Sequence, residues 1–453
     1  MELTSTLHAG AAKIDITPPL GTIINGDFRA HYAHTIHDPL FSKAVVVHQK
    51  NVWMAIVVVD ICVMPKFYVD QIRESIETQL EIPFAHILIS STHTHAAGSV
   101  AEAYLSNIDL GYSRKLPALI VESVRQAKAN LRPAKIGFGK VDAPAHVRSR
   151  RYLMDDGYTP LNPVNGSKDG VKTNPFGAEK HILKAATVTD PELSYFGIQG
   201  LDGKWISVVA NYSLHYVGDW ENGTISADYF GEFSAHLAKE LGADDNFVGV
   251  MSNGTSGDIN IWEFIPKNNY PTAYFEKSAL IGKDLASKVK SAMAEMNWEE
   301  NPEISIAYQE LDITCRKPTT EELVLAREIV SKSNFAELQI DDEGLKQIYA
   351  REQVLLNEYP DAIGFPVQVF KIGNCAFGGL GGEFFASTGL WLKANTTQQH
   401  YFTISMANGN CGYVPPAAAF EKGGYETWRS RTSYLEEQAA TLIQEQVVRM
   451  INE

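Results

Sequence analysis

The chain has 453 residues, 45% hydrophobic and 21% charged, the composition of a folded globular protein rather than a disordered or fibrous one. A net charge of −15 speaks against a nucleic-acid partner, which needs a basic surface, and against tight binding to anionic membranes. The longest apolar run, AIVVVDICVM, carries an aspartate and is too short to span a bilayer, so the chain is not expected to be an integral membrane protein.

Residues 43–49 (KAVVVHQ) and 53–63 (WMAIVVVDICV) read as strands joined by a tight Lys50–Asn51 turn. A helix is expected near 65–80, then the strand HILIS, a helix near 113–130 and the strand KIGFGKV. Residues 154–178 are rich in Gly, Pro and Asn and read as a long ordered loop or a lid that covers a pocket and selects its substrate. A second hairpin runs through 194–215 with an Asp202–Gly203 turn, and a third through 365–384 with a Gly373–Asn374 turn. Each hairpin ends its second strand near a polar residue: Asp60, His215 and Glu383. Helical patterns occupy 228–241, 272–297, 319–357 and 431–451. The mixture predicts an α/β or α+β fold of layered mixed sheets flanked by helices. No linker is clean enough to cut, residues 298–303 being the weak candidate.

The chemistry begins at ISSTHTHAAG, residues 89–98. In an extended strand residues i and i+2 share a face, so His93 and His95 are expected to point together. They read as two metal ligands, as a ligand with a hydrogen-bond donor, or as a plain pair of hydrogen-bonded histidines at a sheet rim. His215 ends the apolar stretch ISVVANYSLH in the same way, and Glu383 follows the flexible GGLGG. Together His93, His215 and Glu383 make an N/N/O set suited to catalytic zinc, which keeps an open position for water. SNGTSGDINIW (252–262) suits a polar catalytic loop or a helix start capped by Asp258, and SADYFGEF a helix start capped by Ser226 or Asp228. The cysteines, Cys62, Cys315, Cys375 and Cys411, have neither thiolate-zinc nor disulfide-framework spacing. MELTSTLHAG shows no basic region followed by an apolar one, so the sequence as it stands reads as cytoplasmic, or as periplasmic or secreted had a leader preceded it.

Taken in order, AGAAKIDITPPLG, IHDPLFSKAVVV, VVVD, ISSTHTHAAG, NYSLH, SNGTSGDIN, PVQVFKIGNCAFGGLGGEF and NGNCGYVPP resemble the neutral (non-lysosomal) ceramidase family over about residues 9–430. The resemblance implies one large catalytic domain, here residues 1–453, with a single zinc held by His93, His215, Glu383 and Tyr413. It makes His95 a group that polarises the substrate and helps stabilise an oxyanion. It places a family arginine in HVRSRRYL at Arg150, with Arg151 as the alternative; a surface ion pair is the plainer reading of both. Two features depart from the family. Where its motif continues Gly-Asp-Val-Ser-Pro with a catalytic serine, this chain has Gly257, Asp258, Ile259 and Asn260, whose amide can bind substrate but is no hydroxyl nucleophile; Ser256 is nearby but out of register. The family's C-terminal immunoglobulin-like domain has no counterpart in the sequence as it stands.

The expected function is zinc-dependent hydrolysis of an amide (N-acyl) or ester bond by a metal-activated water. Glu383 is then a ligand rather than the base, and Asp258 handles protons or orients His93. The expected partner is a small N-acyl or O-acyl compound, lipid or sugar. The rival readings are a zinc deacylase for a polar, sugar-like substrate and a non-catalytic zinc- or ligand-binding protein. An acidic, amide-rich and aromatic pocket would favour sugars, and an aliphatic groove acyl chains.

Overall fold

The computed structural model describes residues 6–265 and 270–453. Helices and strands, 30% and 32% of the chain, give the mixed class expected. All three hairpins form: Phe41–Gln49 pairs antiparallel with Val52–Val59, Glu192–Gly200 with Trp205–Tyr212, and Ala362–Ile372 with Cys375–Leu380. Each is then extended in the same manner. A helix crosses over (Lys66–Leu80, Asp228–Leu241 or Ala386–Asn395), and a further strand returns parallel to the hairpin's second strand. These returning strands are Ile87–Ser91, Val248–Asn253 and His400–Ser405. Three ββαβ units of one design therefore carry the fold.

Among the described residues, the first two units share a nine-stranded sheet, and the third forms a four-stranded sheet with Ile304–Thr314. The sheets pack face to face: Ile56, Val58, Phe196 and Val209 of the larger meet Phe370, Phe377, Phe402 and Ile404 of the smaller. Lys66–Leu80 and Leu116–Ala129 cover the outer face of the larger sheet at the first unit, and Asp228–Leu241 and Glu276–Ala292 cover it at the second. Ala386–Asn395 and Ala439–Asn452 cover the smaller sheet. The result is four layers, helix–sheet–sheet–helix. Val52–Val59 shows why its sequence does not alternate. Ala55, Val57 and Val59 face the helices while Met54, Ile56 and Val58 face the second sheet, so both sides must be apolar. Each such side chain contributes roughly 1.5–3 kcal/mol on full burial.

Boundaries differ where local chemistry overrides periodicity. The pattern over 319–357 is two helices, Thr320–Lys332 and Asp342–Leu356, because Thr319 with Glu322 forms a capping box and Asp341 caps the second start. The last helix starts at Ala439 rather than near 431, since Ser430–Ser433 and Cys315–Leu435 make isolated bridges there. Residues 154–178 are not all loop: Val171–Thr173 pairs with Arg151–Met154, which also pairs with Ile182–Ala185. No described helix is long and apolar enough to cross a membrane.

Candidate active site

The units bring their strand ends to one place. His93 lies two residues beyond Ile87–Ser91, His215 three beyond Trp205–Tyr212, and Glu383 three beyond Cys375–Leu380. Tyr413 stands beside Glu383 because Glu383–Phe384 pairs in parallel with Tyr413–Val414. His93 and His95 do meet, but not by strand alternation. His93 has a left-handed backbone, φ 72°, so the extended run has ended and a turn joins the rings. Their Nε2 atoms are 3.4 Å apart. The turn is pinned by Thr94 Oγ1, which donates to the Ser226 carbonyl at 2.8 Å, and by the Ser226 N–H, which donates to the Ala96 carbonyl at 3.0 Å. Gly26, with φ 116°, passes under His95 so closely that a Cβ there would lie 2.6 Å from the ring. Only glycine fits.

One donor atom from each of His93, His215 and Glu383 falls within 4.8 Å of the others, and all three residues are buried. His93 Nδ1 donates to the Cys62 carbonyl at 2.9 Å, which leaves the Nε2 lone pair free, the tautomer a metal ligand needs. That lone pair faces Glu383 Oε2 at 3.3 Å, and Oε2 is buried with no hydrogen-bond partner. Two acceptors facing each other out of water require a cation between them. A proton is the smallest that serves: burial alone would depress the His93 imidazolium, but Glu383 and then Cys62 outweigh it and hold the pKa well above 6.5. The residues therefore fit a metal at this point. His215 fits with one condition. Arg150 Nη1 lies 2.9 Å from its Nδ1, and guanidinium only donates, so the His215 proton sits on Nε2, 3.0 Å from His95 Nε2. Ligation through that Nε2 requires Arg150 to release Nδ1. Burial, the neighbouring His93 and Arg150 push both His95 and His215 well below 6.5, so both are neutral.

Arg150 and Arg151 are not surface pairs. They are 2% and 1% exposed, and both bind Glu426, which is fully buried. Burial pushes the Glu426 carboxyl up, but the two guanidiniums more than compensate and hold it below its ordinary range. Arg150 also lies over the Tyr413 ring, its carbon 5.0 Å from the centroid, and its buried Nη2 has no partner. Burial drives the Tyr413 phenol well above 10, with Arg150 opposing.

These groups floor a cavity of about 570 Å³. His93, His95, His215, Arg150, Glu383 and Tyr413 all line it, as do Val171–Thr173 and Asn174 from the segment expected to cover it. Asp258 and Asn260 do not line it. Asp258 Oδ1 accepts the Ala386 N–H at 2.8 Å and so caps the helix Ala386–Asn395, while burial raises its carboxyl to about 6. It is a capping residue after all, though of a helix far along the chain, and His93 is oriented by the Cys62 carbonyl instead. Asn260 donates to Asn174 Oδ1 and accepts the Trp262 N–H at 2.9 Å, so it acts behind the wall. Ser226 does not cap Asp228–Leu241 from the N-cap position, which Ala227 holds; its Oγ accepts the Asp228 N–H at 3.0 Å. Asp60, at the end of the first hairpin, is closed off in an ion pair with Lys43 at 2.8 Å.

Sequence reasoning missed Glu426 and Tyr425. Tyr425 lines the cavity and its ring lies 5.5 Å from that of Tyr413. Both follow Gly423 and Gly424, each with positive φ, in a stretch with no helical or strand period. The double glycine was the one signal available.

An imidazole–carboxylate centre buried at the strand ends of a four-layer α/β protein, open to a single cavity, is the class that fold and site define. The fold is that of two solved ceramidases. One, described as the crystal structure of neutral ceramidase from Pseudomonas aeruginosa, has TM-score 0.74 and 16% identity, covering 100% of this chain and 74% of the other. The second, described as ceramidase complexed with C2, has TM-score 0.72 and 14% identity, covering 98% and 75%. None of the curated proteins matches the chain. The sequence profile "Neutral/alkaline non-lysosomal ceramidase, N-terminal" matches residues 7–262, more than half of the chain. The chain belongs to the neutral/alkaline non-lysosomal ceramidase family, a family of hydrolases acting on an amide bond.

Proposed function

We propose that this chain hydrolyses an amide (N-acyl) bond with the help of one zinc ion held by His93, His215 and Glu383, with Tyr413 as fourth donor. The observation that carries the reading is the facing pair of buried acceptors, His93 Nε2 and Glu383 Oε2, 3.3 Å apart. A zinc ion there would supply Lewis-acid polarisation of the carbonyl and lower the pKa of water to about 7. In the overall reaction the acyl carbon gains the water oxygen, the C–N bond breaks, and the amine nitrogen takes a proton. Glu383 spends its charge on holding the cation and is not the base. Ligation through His215 Nε2 would free the His95 Nε2 that accepts from it here, and the neutral His95 ring could then carry its proton on Nε2 and offer that N–H to the carbonyl oxygen as charge develops there. Arg150, held by Glu426, brings the unpartnered Nη2 to the same floor. Asn260 provides no nucleophile, and in this reading a metal-activated water is the attacking species.

A polar, sugar-like substrate is a second reading, favoured by the cavity wall. Asn25, Asp27, Glu102 and Asn410 line it together with Tyr104 and Trp428, beside an apolar share from Phe67, Val217, Ile340 and Leu345. Turnover of a panel of N-acyl and O-acyl compounds tests the main reading. Hydrolysis of an N-acyl member should be abolished by a chelator and restored by zinc. Turnover that survives complete metal removal, or none on any member with zinc bound, would sink it.

A further inference from the structure

The strand Val171–Thr173 is an edge strand: it pairs with Arg151–Met154 on one side, and no described strand pairs with its other side. The register is Arg151 with Thr173, Tyr152 with Lys172 and Leu153 with Val171. Continued by one residue, it sets Arg150 opposite Asn174, and the Asn174 N–H donates to the Arg150 carbonyl at 2.8 Å. In an antiparallel ladder, hydrogen-bonded and non-hydrogen-bonded pairs alternate. Arg150–Asn174 and Tyr152–Lys172 are therefore the bonded pairs, and the backbone N–H and C=O of Thr173 and Val171 point away from the ladder, to the free edge. That edge is the cavity wall: Val171, Lys172, Thr173 and Asn174 all line the cavity, whereas no residue of Arg151–Met154 does.

Val171 is fully buried, and Thr173 is half-buried and reachable. The Thr173 side chain is spent elsewhere, donating to Glu426 Oε2 at 2.9 Å, the carboxylate that holds Arg150. Its outward N–H and C=O have no partner among the described residues. One residue with both groups free, beside an amide-cleaving centre, is the smallest template for adding a strand.

We propose that the substrate carries a second, peptide-like amide next to the one cleaved, and that the residue between the two pairs with Thr173 as an added strand: its C=O, from the second amide, accepts the Thr173 N–H, and its N–H, from the cleaved amide, donates to the Thr173 C=O. The inference rests on the reading of the site as an amide hydrolase and names its substrate class: N-acylated amino-acid amides and short peptides. An N-acyl amino alcohol lacks the second carbonyl and can form only one of the two bonds.

Three compounds offered to the zinc-loaded full chain test this: N-hexanoylglycine N-methylamide, its methyl ester, and N-hexanoylethanolamine. The ester keeps the shape and both paired groups, its carbonyl being the weaker acceptor, and the ethanolamide keeps the N–H but lacks the second carbonyl. The readout is KM where a compound is turned over and Kd by calorimetry where it is not. The N-methylamide should bind roughly tenfold tighter than the ethanolamide, the size of one well-placed hydrogen bond, with the ester between them. Thr173→Val keeps the backbone N–H and should keep the preference, while Thr173→Pro removes the N–H without touching a ladder bond and should erase it. Equal affinity for the N-methylamide and the ethanolamide in the parent chain overturns the proposal, whether or not either is hydrolysed. Preference in binding with no turnover leaves the edge intact and counts against the hydrolase reading instead.

Discussion

Asp60 and Glu383 hold equivalent places, each a buried acid just past the second strand of a ββαβ unit. Their environments are opposite. Asp60 receives Lys43 Nζ on both oxygens, at 2.9 and 2.8 Å, and the Phe41 N–H at 2.9 Å. Glu383 Oε2 has no such partner and faces only His93 Nε2, 3.3 Å away. The same scaffold position is used once to lock two strands and once to leave a valence open. An acid whose hydrogen-bonding capacity is filled by its own chain is architecture, and one whose capacity is not filled is waiting for a ligand.

The contrast can be broken by exchanging the roles. Glu383→Gln removes the charge that calls for a cation. Zinc affinity should fall more than about 100-fold, beyond what losing a supporting partner costs, with no loss of metal-free stability. Arg150→Met should separate binding from turnover. Freed at Nδ1, His215 should hold zinc more tightly, while the lost donor lowers kcat by about 100-fold; a fall in both would show that Arg150 supports ligation instead. Asp60→Asn should do the reverse of the Glu383 change. Stripping one partner from a buried pair costs about 3–5 kcal/mol in denaturant melts, with activity per folded molecule unchanged. Gly26→Ala drives a Cβ to within 2.6 Å of His95 and should lower kcat while zinc affinity holds, as read by kinetics and metal titration in parallel.

The smallest effect concerns a third acid, Asp258, whose carboxyl is raised from 3.8 to about 6 by burial. A raised acid binds its proton more tightly in the native state, so stability should fall as pH rises from about 4 to 6, by up to about 3 kcal/mol. Asp258→Asn keeps an oxygen for the Ala386 N–H and should flatten that slope in urea melts.

Much of the architecture was legible because hydrophobic period and turn residues state it directly. The hairpins and the helix 228–241 came from apolar runs, Asp-Gly and Gly-Asn turns and amphipathic spacing. Helix boundaries at 333–341 and 431–438 were not legible, since capping boxes and isolated bridges decide them over a continuing apolar period. At the site, the sequence offered residue types but not valences. His93, His215 and Glu383 stood out as histidines and an acid at strand ends, yet so did Asp60. The polar loop 252–260 looked catalytic and turned its Asp258 to a helix start 128 residues away. What separates these residues is the backbone carbonyl of Cys62, the reach of Arg150 and a carboxylate supplied by Glu426, all contacts between segments distant in the chain.

The central claim is that His93, His215 and Glu383 surround one metal position. Metal content per chain by mass spectrometry, after zinc loading and exhaustive dialysis of the parent and the Glu383→Gln chain side by side, tests it most directly. The account predicts one zinc per parent chain and essentially none in the variant, with both chains folded. A parent chain that retains no zinc, or a variant that retains it as tightly as the parent, would contradict it.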